Sequence, residues 1–144
     1  MRRESPTHQE ARRWLAKAWD DLRACDVDLA ASPPLLEDAL YHCQQAVEKA
    51  LKGFLVWYAQ PFRRTHDIAE LAALCVELDS GLEGSIAPAA PLTEYSSAFR
   101  YPSAREKPSR IEAENARGIA AHVLDTIDAR LSSGTDQLDI LSDI

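Results

Sequence analysis

Four of the sixteen basic side chains crowd into eleven positions, at Arg100, Arg105, Lys107 and Arg110, and that stretch holds one acid, Glu106. Guanidinium groups present paired N–H donors that match phosphate geometry, and a tyrosine beside them, here Tyr101, can stack on a base. A helix opening near Ser109 would add backbone N–H donors and a favourable dipole. Arg63, Arg64 and His66 make a second basic cluster. The chemistry these residues suit is the binding of an anion, a nucleotide or an RNA phosphate. The competing reading is a solvated loop whose cations pair with neighbouring acids.

His66 beside Asp67 has two uses. An imidazole near neutral pH serves as a base or a ligand-orienting group whose protonation the carboxylate helps set. The same pair at a helix start is a cap. Lys49 and Lys52, three apart, share a side of one helix, and Glu48 with Lys52 has the i,i+4 spacing of an exposed ion pair. Gln44 and Gln45 flank a buried stripe, where one of them can hydrogen-bond across a bundle or subunit interface. The candidate set for binding a ligand or phosphate is therefore Arg100, Tyr101, Arg105, His66, Lys52 and Lys49, with no catalytic residue assigned.

Other chemistries lack their patterns. His8, His42, His66 and His122 are scattered, with no HExxH and no Cys/His spacing, so no metal site and no cofactor is expected. Cys25, Cys43 and Cys75 are odd in number and include no CxxC pair, which points to reduced thiols rather than a disulfide framework. GxGxxG, Walker A and GxSxG patterns do not occur. A Cys-His nucleophile would require Cys43 to leave the buried stripe.

The elements that must position these residues read as helices separated by the eight prolines. Apolar spacings of three and four predict a first helix from about Thr7 to Ala31, carrying Leu15, Ala18, Leu22, Cys25 and Leu29, with Thr7 and Glu10 as a capping box. A second runs from near Pro34 to before Pro61, with Leu36, Leu40, Cys43, Val47, Ala50, Phe54 and Tyr58 on its stripe. A third, capped by Thr65 or Asp67, carries Ile68, Leu71, Cys75 and Leu78 and stops by Ser80. Residues 80–91, with two glycines and two prolines, read as a flexible connection, followed by a brief helix over 92–99. Ser109 and Glu112 box the start of a last helix with Ile119, Val123, Ile127 and Leu131 inside and Gly134 beyond its end.

No segment alternates like a half-buried strand. The fold class is all-α, an up-and-down antiparallel helical bundle with a short extra helix before the last long one. Trp14, Trp19 and Trp57 read as core or interface anchors; Trp19 and Trp57 lie off the core stripes, which predicts an apolar surface for a second subunit. Gly53 inside a strong helix predicts close helix approach. At 144 residues, with 46% hydrophobic and 27% charged side chains, the chain suits one globular domain. Its formal charge of -7 opposes binding a polyanion over the whole surface, so any nucleic-acid contact must be local. The start of the chain lacks the apolar core of a secretory signal, and no apolar run approaches the roughly 18 to 20 residues of a membrane span. A cytoplasmic protein without membrane contact is expected.

The second helix reads Tyr41-His42-Cys43-Gln44-Gln45-Ala46-Val47-Glu48-Lys49-Ala50-Leu51-Lys52-Gly53-Phe54-Leu55. It follows a helix with Trp14, Leu15, Asp21 and Leu22, and precedes Thr65-His66-Asp67-Ile68 and then Arg100-Tyr101-Pro102. In this order and spacing the chain resembles the HEPN family, the higher eukaryote and prokaryote nucleotide-binding domains, over about residues 7–131. The resemblance implies an up-and-down bundle, usually a homodimer, often encoded beside a minimal nucleotidyltransferase in toxin-antitoxin or defence pairs. Several members are metal-independent ribonucleases with an Arg-x(4 to 6)-His motif near the start of the last long helix. Beyond Arg100 that spacing reaches Arg105, Glu106 and Lys107, so the histidine is absent from that place. Arg117 to His122 fits Arg-x4-His, but inside the last helix, where five residues turn the side chains about 140° apart.

The expected organisation is an N-terminal lead (1–6), a HEPN-like bundle (7–132) and an acidic tail (133–144). The expected function is a nucleotide- or RNA-phosphate-binding and partner-binding module of a nucleotidyltransferase-associated pair. The alternatives are a ribonuclease toxin of the same fold and a structural dimer without ligand.

Overall fold

The computed structural model describes residues 4–102 and 105–142, with 133–142 as backbone alone. Every regular element among the described residues is helical. Helix α1 (Pro6–Ala30) starts where the Ser5 hydroxyl accepts from the His8 N–H and Pro6 occupies the first turn, in which a missing donor costs nothing. The cap is thus Ser5 rather than the Thr7 and Glu10 box. The chain reverses through residues 31–35, where Leu35 N–H donates to the Asp28 carbonyl at 2.9 Å, and α2 (Leu36–Trp57) returns along α1.

Contacts along the hairpin fix its antiparallel sense. Gly53, near the end of α2, faces Ala11 and Trp14 near the start of α1, and Cys43 Sγ lies 3.4 Å from Cys25 Sγ further along. A Cβ on Gly53 would sit 3.1 Å from both the Ala11 carbonyl oxygen and Trp14 Cβ, so glycine sets how closely the two rods approach. Helix α2 packs against α1, the third and last helices and the 3₁₀ segment. It is correspondingly apolar on most of its circumference: Leu40, Cys43, Val47, Ala50, Leu51, Phe54 and Leu55 have no exposed surface. Tyr58, expected on that stripe, falls past the end of the helix and is exposed.

Helix α3 (Ile68–Leu78) is capped by the Asp67 side chain, which accepts from the Ala69 and Glu70 N–H groups. The stretch expected to be a flexible connection is helical instead. It forms a 3₁₀ turn at Ser80–Leu82, a single turn α4 (Glu83–Ile86) and a 3₁₀ helix at Ala87–Ser96. Leu82, Ile86, Ala89, Leu92 and Tyr95, three or four apart, are buried and hold this run on the core despite its glycines and prolines. It climbs from the end where Arg130 pairs with Asp79 to the end where Tyr95 meets Glu112.

Helix α5 (Arg110–Ser142) opens with the Ser109 hydroxyl accepting from the Glu112 N–H at 3.1 Å, half of the expected box; the Glu112 carboxylate is used elsewhere. Ala113, Ala116, Ala120, Val123, Leu124, Ile127 and Leu131 form its inner face. Its backbone continues through Gly134, where an end was expected, to Ser142. The side chains of the expected acidic tail lie outside the described residues. Trp57, expected as a subunit anchor, is 5% exposed within the chain: the His8 ring stacks on it at 3.6 Å and the Arg12 guanidinium lies 5.2 Å from its centroid. No described helix is long and apolar enough to cross a membrane.

Gly53 in α2 and Gly118 in α5 should answer an alanine substitution with opposite signs. Gly118→Ala meets nothing within 4 Å and should gain up to about 1 kcal/mol of helix propensity. Gly53→Ala presses on a backbone oxygen and a Cβ of α1 and should lower stability. Urea denaturation of both variants checks the contrast.

Candidate functional site

The site is built around a charge in the core. Glu48, 4% exposed, sits on the central helix, and three donors converge on its carboxylate. Gln44 Nε2 donates to Oε1 at 3.0 Å, Lys52 Nζ donates to Oε2 at 3.0 Å, and His66 Nδ1 lies 2.8 Å from Oε1. Gln44 also donates to the His66 carbonyl at 3.3 Å, so the segment between α2 and α3 is tied back to the middle of α2. Burial pushes the Glu48 pKa up, but the hydrogen bonds from Gln44, His66 and Lys52 together with the lysine charge outweigh it. The carboxyl is held below the usual range. The expected exposed Glu48–Lys52 pair is therefore buried, because α2 is covered on the side where it lies. Lys52, 7% exposed, has its ammonium near the rings of Trp14 and Phe62.

Beside this knot opens a cleft of about 460 Å³. Glu37, Asp38, Tyr41 and Gln45 line it from α2, His66 from the α2–α3 segment, and Tyr95, Ser96, Ser97, Phe99 and Arg100 from the end of the 3₁₀ helix and beyond. The Tyr95 and Phe99 rings are near-parallel, with centroids 6.1 Å apart, and the Arg105 guanidinium packs against both. Arg105 is hydrogen-bonded to Glu112, which also accepts from the Tyr95 hydroxyl at 2.7 Å. Burial and the Glu112 carboxylate raise the Tyr95 pKa, so the phenol stays protonated and donating.

Of the residues singled out from the sequence, His66 and Arg100 share the cleft. Lys49 does not line it: its ammonium donates to Asp21 at 2.6 Å. Lys52 is engaged by Glu48. Arg105 braces the wall rather than facing the cavity, and Tyr101, 67% exposed, is not among the lining residues. Arg63 binds both oxygens of Glu70 at 2.5 and 2.9 Å, and Arg110 reaches the Leu29 carbonyl and Glu114. Arg63, Arg105 and Arg110 thus pair with acids. Arg100 has no carboxylate partner among the described residues.

Arg117 grips Asp26 of α1 at 2.9 and 3.2 Å while His122 is exposed, so these two do not form a pair. Sequence reasoning missed Glu37 and Tyr41 and took Gln45 for an interface residue, although their spacing of four marks a polar row along the edge of the buried stripe. Tyr95 and Phe99 repeat the same spacing. Together the lining offers one guanidinium, an imidazole backed by a buried carboxylate, aromatic faces, two serine hydroxyls and two carboxylates on the α2 side.

A family model for the HEPN domain matches residues 11–130, nearly the whole described bundle. The chain belongs to the HEPN family. No curated protein and no solved structure matches it. As a HEPN domain it is a nucleotide- or RNA-related module with the all-helical bundle of that family.

Replacing Glu48 by Gln leaves Lys52 buried without its counter-charge and should cost about 3 kcal/mol of stability at pH 7. A depressed carboxylate pKa stabilises above the unfolded value of about 4.3, and that contribution is lost as pH falls through the native value. The gap between wild type and Glu48→Gln should therefore narrow below pH 4 in urea denaturation.

Proposed function

We propose that this HEPN domain binds the phosphate of a nucleotide or RNA in the Arg100 cleft. The observation that carries the reading is a guanidinium without a carboxylate partner among the described residues, sharing a cavity with His66 and with the rings of Tyr41 and Phe99. Arginine supplies paired donors for phosphate, and an aromatic face supports a base. The carboxylate of Glu37 suits a ribose hydroxyl on the α2 side. The overall charge of -7 confines the contact to this patch. The reading includes self-association and a minimal nucleotidyltransferase as partner, both of them what the resemblance to HEPN proteins implies.

The pairing of His66 Nδ1 with Glu48 favours a second reading, metal-independent RNA cleavage. The ionised carboxylate accepts a hydrogen bond from Nδ1–H and leaves the other ring nitrogen of an exposed imidazole for proton transfer, with Arg100 on the phosphate.

Calorimetric titration with AMP should show binding that Arg100→Ala weakens at least tenfold and that adenosine, lacking the phosphate, does not reproduce. Equal binding by the variant would remove the assignment. In the same preparations, RNA held in EDTA should be cut by wild type and spared by His66→Ala if cleavage is the activity; intact RNA leaves binding alone. Light scattering at twice the chain mass supports the dimer, and a monomer opposes it.

A further inference from the structure

At the closed end of the α1–α2 hairpin three acceptors converge from two helices. Asp28 stands in the last turns of α1, and Asp38 and His42, four apart, share one face of α2. One ligand atom from each lies within 4.8 Å of the other two. Donors around a single ion at about 2.0 to 2.2 Å are at most about 4.4 Å apart, and His42 Nε2 and Asp38 Oδ2, 3.5 Å apart, already lie within that span.

The surroundings are built for a cation. Asp28 is 7% exposed, and its Oδ2 oxygen has no hydrogen-bond partner, a costly arrangement for a carboxylate. Its backbone is fixed from the loop, since the Asp28 carbonyl accepts from Leu35 N–H at 2.9 Å. His42 Nδ1 lies 2.8 Å from Asp21 Oδ1, and the other oxygen of Asp21 accepts from Lys49 Nζ at 2.6 Å. Asp21, 8% exposed and anchored by that lysine, is placed to accept a hydrogen bond from Nδ1–H, which leaves Nε2 to face Asp38 Oδ2, 3.5 Å away. A carboxylate that orients the far side of an imidazole is the usual support for a metal-binding histidine. The three residues open on a groove of about 530 Å³ that Asp20, Arg23 and Val27 also line, which leaves room for water or a ligand on the ion.

We propose that Asp28, Asp38 and His42 bind one divalent transition-metal ion, Zn²⁺ or Mn²⁺, through two carboxylate oxygens and the His42 Nε2. The donor set of imidazole and carboxylates suits both ions, and Zn²⁺ binds the tighter of the two by the usual order of affinities. Lys49 and Asp21 act as positioning residues. The motif escapes a search for HExxH because only two of its ligands lie on one helix.

The rival is a proton: burial and the Asp38 carboxylate raise Asp28 to about 6, with His42 offsetting part of the rise, and a shared proton would satisfy the same oxygens. Wild-type protein dialysed against EDTA is titrated with ZnCl₂ and then MnCl₂, read by calorimetry, by melting temperature and by the ¹⁵N resonances of the histidine rings. One equivalent of Zn²⁺ should bind, raise the melting temperature and move the His42 Nε2 resonance, while His122→Ala behaves as wild type. Asp38→Asn, a change at an exposed carboxylate that folding tolerates, should weaken binding at least tenfold. No binding at millimolar metal, undiminished binding by Asp38→Asn, or a shift at other histidines with His42 unmoved would each overturn the site.

Discussion

An ionised carboxylate in the middle of a helical core is the constraint on which the rest of this structure turns. Taking Glu48 out of water costs several kcal/mol unless donors replace its hydration. The donors come from three directions: Gln44 one turn before it, Lys52 one turn after it, and His66 from the segment that leads into α3. The first two are fixed by helical spacing alone. The third is not local, and meeting it draws the chain after α2 back alongside its own midpoint. That return places an imidazole beside Tyr41 and Gln45 and so creates one side of the cleft.

The opposite side is organised by a second acid. Glu112, in the first turn of α5, accepts from Tyr95 and Arg105, and Arg105 in turn covers the faces of Tyr95 and Phe99. This joins the end of the 3₁₀ helix to the start of α5 across the segment between them. One consequence is a division of labour between two arginines five apart: Arg105 is neutralised to hold the wall, and Arg100 faces the cavity. The functional reading as a phosphate site follows from that asymmetry more than from the density of basic residues.

The helices themselves were legible because apolar residues three and four apart have one physical meaning when prolines bound them. Asp67 was legible as a cap for the same local reason. The run over 80–96 was not: glycine and proline signal a turn locally, whereas Leu82, Ile86, Ala89, Leu92 and Tyr95 pay that cost through burial against distant helices. Lys49, Lys52 and Trp57 show the same limit at the site. Their types and spacing are visible, yet what covers them, Asp21 twenty-eight residues from Lys49 or the His8 ring near the start of α1, is settled only by packing. His66 and Arg100 could be named from the sequence; that Tyr95 and Phe99 would stand between Arg105 and the cavity could not.

The ionisation of Glu48 tests this account most directly. Titration of its side-chain carboxyl by ¹³C NMR in the folded protein should give a midpoint below the ordinary glutamate value of about 4.3. A midpoint above that value would mean that burial defeats the donors, and that the knot joining α2 to the His66 segment does not hold the cleft in the way described.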